Sequence, residues 1–220
     1  MCWNPDISFN TFFIGILILV FIYVTNTYTK YKTPEFDNPW AYAFVLSFLL
    51  IQLMEFFMWR NLKNPSMNRT ISWIMFFILS CQPLILMLLI DNPSVKRTLL
   101  AFYILYLIVH TGYIYQYTPS VMHTKIGHNG HLDWDFIVTK TNIDRLFLLI
   151  YCCICFPIFY YLKLKTFVFF TIISLALSMF FYYNNNTFGT MWCWMANLFL
   201  FYFLIQILFV KPFMEYNRLC

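Results

Sequence analysis

The residues of this chain best able to do chemistry are ionisable side chains set inside apolar runs. In "SFLLIQLMEFFMWRN", residues 47–61, Glu55 stands among Leu, Met and Phe, with Gln52 before it and Trp59 after it. Spaced i, i+3, i+7, these three share one face of a helix. An acid at the centre of a membrane helix costs about 2.5–3.5 kcal/mol, so such groups usually face a bundle interior or a wet cavity. There a carboxyl can hold a cation, a proton or a polar headgroup. Nearer the interface it can simply reach water. His110 lies inside another apolar run and would form an acid–base pair with Glu55 if the two met. Alone, it needs only a neighbouring carbonyl. Asn197 follows "MWCW", which contains Trp192, and carboxamides at such positions commonly bond between helices. The candidate pocket is therefore Glu55, Gln52, His110 and Asn197, rimmed by Trp59 and Trp192.

A second group of reactive types sits in "HTKIGHNGHLDWD". His123, His128, His131 and Asp133 are acceptable transition-metal ligands. Their spacing, H-x4-H-x2-H-x-D, is no established zinc signature. The alternative is that "HLDW" folds back over a bundle mouth, with Leu132 and Trp134 anchored in the membrane interface. Several chemistries are excluded. The chain has no G-x-S-x-G, no H-E-x-x-H and no phosphate-cradling glycine loop. The lysine of the last apolar run, Lys211, is at its end, where it could not carry a buried Schiff base. No cofactor is implied.

The elements that must position these residues follow from composition. Of 220 residues, 61% are hydrophobic and 10% charged, and the mean hydropathy is +0.68. A soluble domain averages about 25% charged residues, so this chain belongs in a lipid bilayer, and its net charge of +5 does not point to nucleic acid. Seven apolar segments, approximately 9–26, 40–59, 71–90, 98–117, 144–162, 166–184 and 189–210, are each long enough for about 30 Å of hydrocarbon. They predict an all-α fold, a single seven-transmembrane-helix bundle over 1–220, with one long connection at 119–142. Pro, Asn and charge mark the breaks. Gln82-Pro83 predicts a kink in the third span, with Gln82 or water satisfying the freed carbonyls. The Cys residues read as small buried hydrophobes, with Cys2 and Cys193 alone placed for a bridge.

Seven spans put the termini on opposite sides. The N-terminal side carries Arg60, Lys63, Arg69, Lys125, Lys140 and Arg145. The other carries Lys30, Lys32, Lys96, Arg97, Lys163, Lys165, Lys211 and Arg218. The excess of basic residues places the C-terminus in the cytoplasm and the N-terminus outside it. Two glycosylation sequons, at Asn68 and Asn185, fall on the N-terminal side, as do nearly all the Trp residues.

The opening "MCWNPDISFNTFFIG", "QLMEFFMWRN", "HLDW" and "MWCWMAN" together resemble a family of multi-pass membrane proteins of large DNA viruses and some protists, over essentially the whole chain. The resemblance implies the seven-span fold and a viral or host membrane, and brings no activity with it. The residues themselves favour a pocket handling a proton, a cation or a small polar solute, as a channel or transporter component. A receptor-like binder of a lipid headgroup or small ligand, a membrane hydrolase using Glu55 and His110, and a structural viral protein are the alternatives. Conduction would need polar steps through to the C-terminal side, where Gln82 and Gln206 are the obvious ones. An apolar plug there would favour a one-sided pocket. Oligomeric state is left open.

Overall fold

The structure, a computed structural model, describes residues 4–117, 122–136 and 141–219. Among these, seven helices are long and apolar enough to cross a membrane, and the chain is a multi-pass integral membrane protein with an all-α bundle. The first six spans are α1 (Pro5–Tyr28), α2 (Pro39–Asn61), α3 (Pro65–Leu88), α4 (Pro93–Tyr117), α5 (Asn142–Tyr161) and α6 (Lys165–Tyr182). The seventh is composite: α7 (Phe188–Ala196), α8 (Leu198–Ile205), a π-helical turn at Gln206–Val210, and α9 (Lys211–Leu219). The long connection holds a small antiparallel hairpin, β1 (Thr124–Ile126) paired with β2 (Leu132–Trp134).

Four helix starts share one device. Asn4, Asn38, Asn64 and Asn92 each precede a proline, and each accepts a backbone N–H of the first turn on its side-chain oxygen, at 3.0 to 3.2 Å. Asparagine satisfies an orphan donor, and proline at the first helical position has no N–H to strand. The Asn-Pro pairs are therefore helix starts, which is why α1, α3 and α4 begin at Pro5, Pro65 and Pro93 rather than near residues 9, 71 and 98. A capping box between Thr141 and Asp144 opens α5.

Pro83 does not break α3, which runs through it. Gln82 does not serve the carbonyl that Pro83 frees, that of Leu79, since its amino group has no partner. Tyr103 of α4 donates to the Ser80 carbonyl at 2.9 Å, and Gln82 Oε1 accepts from Tyr151 of α5 at 2.9 Å. The π turn falls just before Pro212, whose nitrogen has no hydrogen to donate, and the Lys211 N–H reaches back five residues to the Gln206 carbonyl.

Burial is inverted relative to a soluble protein. Phe102, Ile108, Phe180 and Phe209 are 67%, 65%, 82% and 66% exposed, whereas Gln52, Asn68, Ser72 and Ser178 are fully buried. Only a hydrocarbon solvent suits that outer surface. Away from the hairpin, an apolar cluster including Ile22, Phe36, Val45, Leu49, Phe159, Phe167 and Phe203 fills the bundle. The far end is latched: Lys211 donates to the Lys32 carbonyl (2.6 Å) and to Thr33 (3.2 Å), and Glu215 pairs with Lys30 and accepts from the Tyr31 hydroxyl.

One contact sets how closely α1 and α2 approach. A Cβ on Gly15 would stand 2.2 Å from Leu49 Cδ2, so only glycine fits unless Leu49 moves. Gly15→Ala is expected to destabilise the bundle by about 1–3 kcal/mol, the usual range for overpacking. Combined with Leu49→Ala it should cost less than the sum of the two single changes. Thermal unfolding of the three variants in one detergent measures this, and strict additivity would contradict the contact.

Candidate functional site

The hairpin and the first turns of α3, α5 and α7 lie at one end of the bundle, the end where α1 begins. The hairpin backbone is bound to the helices by side chains. Asn68 of α3 donates to the Thr124 carbonyl (2.8 Å) and accepts from the Thr124 N–H (2.9 Å), as a neighbouring strand would. Ser72, one turn on, meets the Thr124 hydroxyl at 3.2 Å. On the opposite edge Thr190 of α7 donates to the Leu132 carbonyl (2.8 Å), Asn129 donates to Thr187 (2.8 Å), and Asn186 donates to Asp133 (2.5 Å). The turn needs its glycines: Gly130 has φ 80°, and a Cβ on Gly127 would meet Thr187 Cγ2 at 2.8 Å.

These contacts correct two expectations. Asn68, a sequon by sequence, is fully buried with both ends of its amide occupied, so it is not presented to a glycosylating enzyme and says nothing about orientation. Leu132 and Trp134 are buried at 0% and 2%, so they anchor in the bundle and not in the lipid interface. With Phe136 and Met122 they cap an apolar cluster containing Ile51, Met58 and Met75, against which Trp59 packs half-buried.

The same segment does not assemble as a metal centre. Among the described residues, no three His, Cys, Asp or Glu side chains are grouped to hold an ion. His128 is exposed and His123 half-buried. Asp133 takes Asn186 and lies 3.6 Å from Lys125, and His131 sits edge-on to the Tyr182 ring at 5.4 Å.

Five of the six pocket residues divide into three neighbourhoods, the sixth, Trp59, packing against the apolar cluster under the hairpin. Glu55 and Gln52 of α2 face α1, where the Ser8 hydroxyl reaches Glu55 Oε2 at 3.4 Å. Cys193 of α7 lies within electrostatic reach of that carboxyl. His110 and Trp192 are elsewhere, in the wall of a cavity of about 270 Å3 between α3, α4, α5 and α7, beneath the end of the hairpin. His110 stacks on Phe147 of α5, with ring centroids 4.2 Å apart, and its Nδ1 is 3.3 Å from the Tyr106 hydroxyl. Asn197 marks the join of α7 and α8, donates to the Cys193 carbonyl of its own helix (2.8 Å), and borders a groove against α1. Glu55 and His110 are therefore not bonded: the acid's partner is Ser8 and the imidazole's is Tyr106.

The cavity is not legible in the sequence as a unit. Its walls are largely aromatic: Phe76, Tyr103, Tyr106, Tyr113, Phe147, Tyr151, Phe188, Trp134 and Trp192. Three of its hydroxyls are committed, since Tyr106 also donates to the Phe147 carbonyl (3.2 Å) and Tyr103 and Tyr151 tie to α3. Trp192 Nε1 is buried without an acceptor. Cys193 belongs to both neighbourhoods, lining the cavity while standing near Glu55. The envisaged Cys2–Cys193 bridge falls partly outside the described residues, as do Trp3 and Lys140; Cys193 itself is buried.

Comparison with protein-family models, curated proteins and solved structures finds no match to this chain.

His131 gives the hairpin a pH dependence. Burial lowers its pKa from the ordinary 6.5. The unfolded hairpin then binds more protons than the folded one below that value, so the contribution is complete above about pH 6.5 and is lost as pH falls toward the folded pKa. Amide exchange at Thr124 and Leu132, corrected for intrinsic rate, should quicken as pH falls from 7 to 5. His131→Leu should remove most of that change. Asn68→Ala, which strands both backbone groups of Thr124, should quicken exchange there at every pH.

Proposed function

We propose that this protein is a membrane-embedded binding protein that takes a lipid headgroup or a small amphipathic ligand into the aromatic cavity under the hairpin. The supporting observation is that the cavity is one-sided. It lies at the hairpin end, and the other half of the bundle is filled by Leu, Ile and Phe side chains. Gln82 accepts from Tyr151, and Gln206 lies half-buried in the π turn of the seventh span. An aromatic box suits ligand capture: apolar walls supply affinity and a few polar groups of the lining, here His110, Asp135 and Asp144, set orientation. In the cell the hairpin end faces away from the cytoplasm, a reading carried by the basic residues of the opposite end.

The test is native mass spectrometry of protein released from nanodiscs of mixed phosphatidylcholine, phosphatidylethanolamine and phosphatidylglycerol. A one-to-one lipid adduct is expected to survive activation that strips annular lipid. Leu148 lines the cavity, and Leu148→Trp should lower the adduct at least several-fold while unfolding remains cooperative. No adduct above annular background, or equal adducts from both proteins, would refute the reading.

A further inference from the structure

The buried polar group between α1 and α2 is not used by that reading. Gln52 is fully buried, and neither its carbonyl nor its amino group has a partner. Glu55 is 2% exposed, and its Oε1 has none. Its Oε2 has only the Ser8 hydroxyl at 3.4 Å, well beyond the usual 2.7–2.8 Å of an O–H···O bond. Ser8 is itself 4% exposed. Among the described residues no lysine, arginine or histidine pairs with Glu55. A carboxyl so enclosed has two stable forms, a neutral acid or a carboxylate with a bound cation.

Gln52, three residues before Glu55 on the same helix face, is close enough to act on its carboxyl, and its own side-chain oxygen has no donor. What the three side chains offer together is a set of oxygens from two helices: two carboxylate oxygens, a carboxamide oxygen and a hydroxyl. Oxygen sets suit hard cations. One carboxylate balances one positive charge, whereas Ca2+ or Mg2+ would leave an uncompensated charge in hydrocarbon surroundings.

We propose that Glu55, Gln52 and Ser8 form a binding site for a monovalent metal cation of sodium's class, clamped between α1 and α2. The close approach at Gly15 fixes the spacing of the two helices. Glu55 supplies the charge, Gln52 and Ser8 supply neutral oxygens, and water completes the shell. This site is separate from the aromatic cavity, across Cys193, and stands or falls independently of ligand capture there.

The experiment is thermal unfolding of the purified protein in detergent at constant ionic strength, with NaCl, LiCl or KCl replacing choline chloride at pH 7.5. The wild-type midpoint should rise by roughly 5 °C as sodium reaches about a hundred times its half-saturation concentration. Choline chloride alone should give no rise. Glu55→Gln should abolish the response. Ser8→Ala, a milder change should Glu55→Gln not fold, should move the half-saturation concentration at least several-fold higher. Leu148→Trp should leave it unchanged. A midpoint indifferent to all three metals, an equal response from wild type and Glu55→Gln, or a dependence on pH alone would overturn the proposal, the last identifying a proton site instead.

Discussion

A strand backbone cannot lie on the end of an apolar bundle unless something satisfies its N–H and C=O groups, and the hairpin end of this protein is organised around that requirement. Buried backbone groups left unbonded cost about 1–3 kcal/mol each. Asn68 acts as the missing neighbouring strand, taking both groups of Thr124, while Thr190 takes the Leu132 carbonyl from the other side. With its polar groups satisfied, the hairpin can turn Leu132, Trp134 and Phe136 down into the helices. The roof of the cavity therefore rests on a carboxamide at the start of α3, a residue that does not itself line the cavity.

The bilayer imposes the complementary constraint on the rest. Because lipid solvates the large aromatic and aliphatic side chains, the bundle has no hydrophobic reason to bury them, and its interior can be given to small and polar groups. Ser47, Ser174 and Ser178 follow that rule, with each hydroxyl returned to a backbone carbonyl. The far end departs from it, packing rings against rings around Phe167 and Phe203. Such packing gives dense, directional contacts. Together with the Lys211 and Glu215 latch it makes that end the closed one, and the hairpin end the one with room inside.

The helices are legible in the sequence because an apolar run of about 20 residues has few other uses. Their starts are harder to place, because Asn-Pro looks like a terminator of one span although it is equally the first turn of the next. The inward direction of Glu55 is legible from its cost in lipid. The company it keeps is not. Helical spacing says which residues share a face, not which neighbouring helix that face meets, so only depth groups His110 and Asn197 with Glu55. Depth is common to every span at one end of a bundle. The hairpin is invisible for another reason: its strands are three residues each, and side chains outside the loop specify them.

The geometry of α7 decides how the two polar regions relate. One face of its first turns, with Phe188, Gly189 and Trp192, borders the cavity, and Cys193 at the edge of that face also stands near Glu55. The helix is also tied to α1, where Trp194 donates to Thr11 at 3.1 Å, and to the hairpin through Thr190. Its junction with α8 is a break in the seventh span, because Asn197 diverts its side-chain N–H to the Cys193 carbonyl and tightens the turn there. A nine-residue helix held at both faces and broken from α8 at its end is therefore the partition between the two regions.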